Sequence, residues 1–418
     1  MKDITAVLMP YSSKAILNKA IFSLKKINAR IKSVIVLQDP NTSSISMSEH
    51  DWLDEIKPIP VNGKDIGETI NHTIQPIDST YLLFLQDNEY LSPAVHVNSL
   101  NLATKQVLET PHHQPLLVRT SFLRKHKLLS RLQVPFKEAL FPAWLSNVDR
   151  SLITFEEGLI KQARKSNSTN TIHKQKMIQK YQLENQVEPR SPTVSLLLSN
   201  YNMENYVEIA VASCLLQNAQ PDQLLIMDDG SSDHSYHQLQ KWRDGEKVQV
   251  FHKKNGGKAR ALNQLLPYVT SDFILELDAD DWLDPDAISV IKKQLSDLPE
   301  DIVLLYGNLK KWKQAKGDLL FKRIAMGKKV KDRAELLAYR FPLGPRIYRT
   351  SSLKKIGGFP VIAFENGRLY EDVSVLNRLI RDWQFLYCDF TVYNVREHEN
   401  SITKNNLANW KAFLKTLK

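Results

Sequence analysis

The sequence predicts an α/β fold present twice. It reads as two Rossmann-related domains, each a mixed, mostly parallel sheet covered by helices, joined by a partly helical linker. Three observations predict it. Short apolar runs alternate with helical stretches, the first half of the chain echoes the second, and polar clusters fall directly after the apolar runs.

In the second half, Val194–Ser199 predicts a strand, Glu204–Leu216 a helix, Leu224–Met227 a strand, Ala259–Leu266 a helix and Phe273–Leu277 a strand. Such alternation implies parallel strands with ligands outside their carboxyl ends. Tyr201, Asp228-Asp229 and Asp278-Ala279-Asp280-Asp281 all follow predicted strands.

The echo is ordered. Ile4–Ser12 resembles Thr193–Asn202, and Tyr11, Ser23 and Asp39 precede Tyr201, Ser213 and Asp229 by 190 residues. After a slip, Asn71, Ser79 and Pro93 precede Asn263, Ser271 and Pro285 by 192. Arg119-Thr120-Ser121 then matches Arg349-Thr350-Ser351. A consistent order over a whole unit predicts an internal duplication. The expected domains are 1–150 and 192–402, with a polar, basic linker over 151–191 and a helical tail over 403–418. Ser166–Asn170 reads as a break in that linker, and Lys174–Gln186 has helical composition.

Composition narrows the partners. The net charge is +10, with basic stretches at Lys161–Lys180 and Lys310–Arg333. These suit an anionic polymer or anionic lipid headgroups at a membrane surface; no nucleic-acid module accompanies them. Cys214 and Cys388, the only cysteines, lie in apolar runs and suit a reducing compartment. Asp3 interrupts any leader, and no run approaches the ~20 apolar residues of a membrane span. The expected place is the cytoplasm, with peripheral contact at the inner face of the cell membrane.

Three carboxylates at one strand end (Asp278, Asp280, Asp281) are costly unless a cation or ligand hydroxyls compensate. The first half has Gln86-Asp87-Asn88-Glu89 at the same place. Taken with Ser199-Asn200-Tyr201-Asn202, Asp228-Asp229-Gly230-Ser231-Ser232-Asp233 and Asn255-Gly256-Gly257-Lys258-Ala259-Arg260-Ala261-Leu262-Asn263, this cluster resembles the family 2 glycosyltransferases over about residues 192–402. The resemblance implies a GT-A nucleotide-sugar fold in both halves and an inverting transfer. It implies donor contacts at Ser199, Tyr201, Asp228, Asp229, Lys258, Arg260 and Asp278, and a Mn²⁺ or Mg²⁺ ion at Asp280, Asp281 and His398. It also implies a general base, Asp372, partnered by Glu371; those two carboxylates open a stretch of helical spacing, Val373–Leu379.

The donor expected is a nucleotide-diphosphate sugar, a UDP-sugar first, carrying a hexosyl or N-acetylhexosaminyl group. The acceptor expected is a glycan of the cell envelope, an anionic polymer or a lipid-linked hydroxyl. A homo-oligomer stays open. In the first half Gln38, Gln86 and Asn88 replace Asp228, Asp278 and Asp280, and Phe141-Pro142 aligns with Glu371-Asp372. An amide cannot neutralise a cation, so this half reads as a degenerate, non-catalytic copy that binds acceptor, dimerises or stabilises its neighbour. A sugar nucleotidyltransferase, or a nucleotide-sugar-binding scaffold without activity, are the alternatives. The first should carry a glycine-rich basic loop after its first strand, where Ser199–Glu204 is neither.

Overall fold

The computed structural model describes the chain apart from residues 1, 12, 39–51, 54, 62–64, 112, 164–167, 185–190, 316–317, 339–342, 363, 365–369, 400–409 and 417–418, with the side chain of residue 411 also outside the description. It forms two compact units, Met1–Gln182 and Leu183–Lys418.

The first unit runs β1 (Ile4–Leu8), α1 (Lys14–Ser23), β2 (Ile31–Gln38), β3 (Ile56–Pro60), α2 (Ile66–Thr73), β4 (Tyr81–Leu85), β5 (Glu89–Leu91), β6 (Val107–Thr110), β7 (Gln114–Arg119), α3 (Thr120–Lys125), α4 (Leu140–Ser146), β8 (Ile153–Phe155), β9 (Ile160–Gln162) and α5 (Thr169–Gln179). Its sheet has the order β3-β2-β1-β4-β7-β6-β8, and β5 pairs with β9.

The second unit runs β10 (Val194–Asn200), α6 (Val207–Leu215), β11 (Gln223–Asp228), α7 (Ser235–Gln240), β12 (Val248–His252), α8 (Lys258–Leu265), β13 (Phe273–Asp278), β14 (Trp282–Leu283), α9 (Ala287–Leu295), β15 (Ile302–Ala315), β16 (Asp318–Ala325), α10 (Arg333–Ala338), β17 (Ile347–Arg349), α11 (Thr350–Lys355), α12 (Glu371–Leu379), β18 (Gln384–Glu397) and α13 (Trp410–Thr416). The order is β12-β11-β10-β13-β17-β15-β18-β14, with β16 attached to β15. The expected mixed α/β architecture is what both units show, and their first seven strands follow one order. In each, four parallel strands meet an antiparallel fifth, at β4–β7 and β13–β17.

Burial on both faces explains the central strands. Leu196 and Leu198 of β10 enter one core, with Ala210, Ile226 and Ile288; Leu197 points the other way, against Leu225, Leu262 and Ile274. In β1, Ile4, Ala6 and Leu8 face one side and Val7 the other. Strands covered twice read as continuous apolar runs, which is why the sequence marks them so clearly.

The echoed polar residues have matching roles. Ser79 Oγ donates to Tyr81 O at 3.2 Å, as Ser271 Oγ does to Phe273 O at 2.7 Å. Ser23 Oγ accepts from Leu91 N–H, as Ser213 Oγ does from Leu283 N–H. Asn71 exchanges two hydrogen bonds with the backbone of Leu128, and Asn263 does so with Phe359. Arg119 and Arg349 each donate to backbone carbonyls and lie over an aromatic ring, Tyr81 and Phe273. Tyr11 and Tyr201 diverge: one is buried, the other half exposed. Asp39 lies outside the described residues.

One expectation needs correction. The start of the expected linker builds the first unit instead. There, β8 lies beside β6, β9 pairs with β5, and α5 buries Met177 and Ile178. Lys174, 4 % exposed, reaches Glu138 at 3.3 Å and lies over the Phe136 ring. A carboxylate and a ring allow this charge to be buried. Of the expected break Ser166–Asn170, residues 166–167 are outside the described residues, while Ser168 caps α5 and Thr169 and Asn170 begin it. The basic stretch after Tyr306 divides between two sides of a sheet. It forms strands β15 and β16, and alternation sends Lys310 inward to Asp284 at 3.0 Å while Lys311 faces Glu397.

The Asn263–Phe359 pair closes a loop at Gly358, whose φ is +82°. Asn263→Ala strands two backbone groups, so the second unit should lose about 2 kcal/mol. Asn71→Ala should cost the first unit a similar amount. Denaturant titration followed by a probe in each unit measures both.

Candidate functional site

The carboxyl ends of β10, β11 and β13 lie side by side, with Asn200 paired to Asp228 and Ser199 to Asp278 in the two registers. Asp228 is fully buried. Its Oδ1 accepts from Asn200 Nδ2 at 2.7 Å and Ser231 Oγ at 2.6 Å, and its Oδ2 accepts from Ser231 N–H at 3.0 Å and lies 2.8 Å from His252 Nδ1. Both oxygens are thereby engaged, so Asp228 ties three strand ends together from beneath.

Asp229 works in the same way one residue further out. Gly256 N–H and Gly257 N–H donate to its two oxygens at 2.9 and 2.7 Å, and Lys253 Nζ pairs with it. Gly257 has a φ of +93°, which a side chain would oppose, and sits at the start of α8. Tyr201, 44 % exposed, follows Asn200, whose carbonyl accepts Asp229 N–H at 2.8 Å. Arg260 is exposed and donates to Gly256 O at 2.7 Å.

The carboxylate cluster separates by direction. Asp281 is buried, accepting Arg396 N–H at 2.8 Å; burial, then Asp280 and Asp278, raises its pKa well above the usual range. Asp280 keeps its side chain partly exposed, with Oδ2 2.9 Å from His398 Nε2. The His398 ring packs on Tyr206 at 4.9 Å between centroids, and Arg396 is held between Tyr206 and Trp282. Of the three residues expected at a metal, Asp280 and His398 thus converge and Asp281 is turned away. Among the described residues no group of three or more His, Cys, Asp or Glu could hold a metal ion. The protein's own share of such a site is therefore two donors, a set that fits a hard cation shared with an oxygen-rich ligand.

Helix α12 brings the remaining carboxylates. Glu371 and Asp372 form its first turn after Tyr370, whose φ is +59°. Lys258 links this turn to the strand end: its Nζ pairs with Asp278, lies 2.6 Å from Glu276 and 3.6 Å from Glu371. Arg346 faces Asp372 at 3.6 Å. Burial pushes the Glu371 carboxyl up to about 7, opposed by Lys258 and assisted by Asp372 and Glu276. For Lys258 burial works downward, but Asp278, Glu276 and Glu371 together raise it well above its ordinary value. The cation between the carboxylates therefore stays charged.

Residues 195–356 match the family model described as glycosyl transferase family 2. The second unit carries a family 2 glycosyltransferase domain. A chondroitin synthase of Pasteurella multocida (strain Pm70) is 34% identical over 106 residues, 25% of this chain and 11% of that protein. A hyaluronan synthase of Pasteurella multocida shows the same figures, so the chain spans about a tenth of either relative. Glycosyltransferase GlyG of Streptococcus pneumoniae is 25% identical over 224 residues, 51% of this chain and 74% of that one. The crystal structure of S. aureus TarS in complex with UDP-GlcNAc aligns at 20% identity and a TM-score of 0.38, over 51% of this chain and 61% of the other.

In this family 2 domain the edge presents Tyr201 and Arg260 as exposed groups and links Asp229, Lys258, Asp278, Asp280, His398, Glu371 and Asp372 into it; Ser199 enters by backbone register alone, while Asp228 and Asp281 support the edge from inside. Sequence reasoning missed Glu276, Arg346, Arg396 and Tyr393, whose hydroxyl accepts Asp278 N–H at 3.1 Å. One signal was available: Glu276 is a charge inside the apolar run Phe273–Leu277, where a charge needs a partner. Arg346 and Arg396 carry no such mark.

The Glu371 shift fixes a sign. The unfolded chain loses this proton near pH 4.5 while the folded one holds it to about 7, so stability falls as pH rises through that window and levels above it. Glu371→Gln should flatten the slope, gaining on the order of 1–3 kcal/mol over wild type between pH 5 and 8. Urea midpoints at the two pH values decide.

Proposed function

We propose that the chain transfers a sugar from a nucleotide-diphosphate donor, a UDP-sugar, to an acceptor hydroxyl with inversion at the anomeric carbon. The observation that carries this reading is the lysine bridge at one sheet edge: Lys258 joins Asp278, on the donor side, to Glu371 beside Asp372. Tyr201 offers an exposed ring for the base, and Asp229, tied to Gly257 N–H, leaves the next strand end. In the transfer step the acceptor oxygen bonds to the anomeric carbon, Asp372 takes its proton, and the diphosphate leaves with the electron pair of the broken bond.

Asp280 and His398 are the residues that would hold Mn²⁺ or Mg²⁺. When bound, the ion supplies positive charge to the departing diphosphate. Lys258 adds a fixed cation from the protein itself.

For the acceptor we favour an anionic polymer or a lipid-linked hydroxyl of the cell envelope. A cavity of about 280 Å³ beside β15 and β16 is lined by Tyr306, Leu309, Ile324, Met326 and Leu343, with Lys311 and Arg323 adding charge. The relatives named as chondroitin and hyaluronan synthases also favour a polysaccharide. No helix among the described residues is long and apolar enough to cross a membrane.

The first unit we read as a duplicated copy without catalytic power. Gln38 and Gln86 stand at its strand ends, each with a buried Nε2 that has no hydrogen-bond partner among the described residues, and Phe141 packs against Phe84 where the second unit has charge.

A screen of nucleotide sugars with Mn²⁺ or Mg²⁺ tests the reading. Asp280→Asn should abolish metal-dependent donor hydrolysis, and Asp372→Asn should lower kcat for transfer roughly 10²- to 10⁴-fold; wild-type rates in either variant refute the assignment. Calorimetry of the full chain with UDP and Mn²⁺ should give one site per chain. Two sites would refute the inert first copy.

A further inference from the structure

Glu276 lies inside β13, two residues before Asp278, and is 3 % exposed. A carboxylate in a strand interior costs several kcal/mol unless its charge is met there. It is met from two sides. Arg346 grips both oxygens, Nε to Oε2 and Nη2 to Oε1, each at 3.0 Å. Lys258 Nζ lies 2.6 Å from Oε1, and the Tyr348 hydroxyl donates to Oε2 at 3.4 Å. Both cations then reach onward, Lys258 to Asp278 and Glu371, Arg346 to Asp372. One buried carboxylate thus stands between the strand end and the helix, with a cation on each side.

The chain contains its own control for whether the fold requires this. At the corresponding offsets the first unit has Phe84 for Glu276, Ile66 for Lys258 and Leu116 for Arg346, with Phe141-Pro142 for Glu371-Asp372. Phe84 and Phe141 pack at 5.2 Å between centroids in an apolar cluster that Ile66 joins. The same strand order stands in both units. Buried ion networks give little net stability, since well-packed apolar groups of similar volume often serve as well. The ionic version in the second unit therefore answers to the site.

We propose that Glu276 is a positioning residue for transfer: it holds Lys258 and Arg346 so that Asp278 and the Glu371–Asp372 pair face one reacting centre. This rests on the glycosyltransferase reading above. Glu276 acts through the two cations and touches neither substrate.

The test uses the full chain and three variants, Glu276→Gln, Arg346→Met and the double variant, each measured for kcat, donor KM, affinity for UDP with Mn²⁺, and Tm. Glu276→Gln keeps the shape and one acceptor, and should fold. A misplaced catalytic group costs roughly 10²-fold, so kcat should fall by about that factor with UDP affinity and donor KM within about threefold. The double variant should be no slower than the slower single one, because both break the same link. A kcat for Glu276→Gln within threefold of wild type overturns the proposal, as does a parallel loss of kcat, UDP affinity and Tm, which marks a merely structural role. A wild type that turns over no nucleotide sugar overturns the glycosyltransferase reading and this proposal with it. A working wild type with an unaffected variant overturns the proposal alone.

Discussion

A strand buried on both faces can present chemistry only at its ends, and β10 is such a strand. That constraint places the site. With helices on both sides and partners on both edges, polar side chains of β10, β11 and β13 collect where the backbone leaves the sheet. Asp228 shows how far the constraint reaches. It is fully buried, yet it accepts hydrogen bonds from groups on β10 and the following loop and meets His252 of β12. The loops that carry Tyr201, Asp229 and Gly257 all leave from that anchored edge.

Legibility in the sequence followed from the same constraint. The parallel half of each sheet was readable because double burial writes an uninterrupted apolar run, and β10, β11 and β13 lie within one or two residues of their expected bounds. The antiparallel half was not. Strand β15 runs Ile302–Ala315, through Gly307 and three lysines, and its inward members are buried only because Asp284, Asn394 and Trp282 wait across the sheet. Those partners are remote in sequence, so no local pattern announces them. The site divided likewise. Motif residues at strand ends were visible, whereas Arg346, Arg396 and Tyr393 enter from later segments by register alone.

The two units are one plan with opposite solutions to a shared packing problem. Where β4 and α4 of the first unit meet, aromatic rings fill the space. Where β13 meets α12, carboxylates and cations fill it, and every charge there needs a neighbour of opposite sign. The apolar solution tolerates substitution by volume. The ionic one is tightly conditional, because removing one member leaves another buried and unpaired.

Strand β16 pairs with β15 while standing off the path of the main sheet. Glu397, which meets Lys322 of β16 at 2.6 Å, is the immediate neighbour of His398, which meets Asp280. Two adjacent residues thus serve different surfaces, one the hairpin and the other the carboxylate edge. β16 sets no strand order, yet its Leu319 is buried and its Phe321 packs on Trp312 of β15, so the hairpin holds the strand that passes beside that edge.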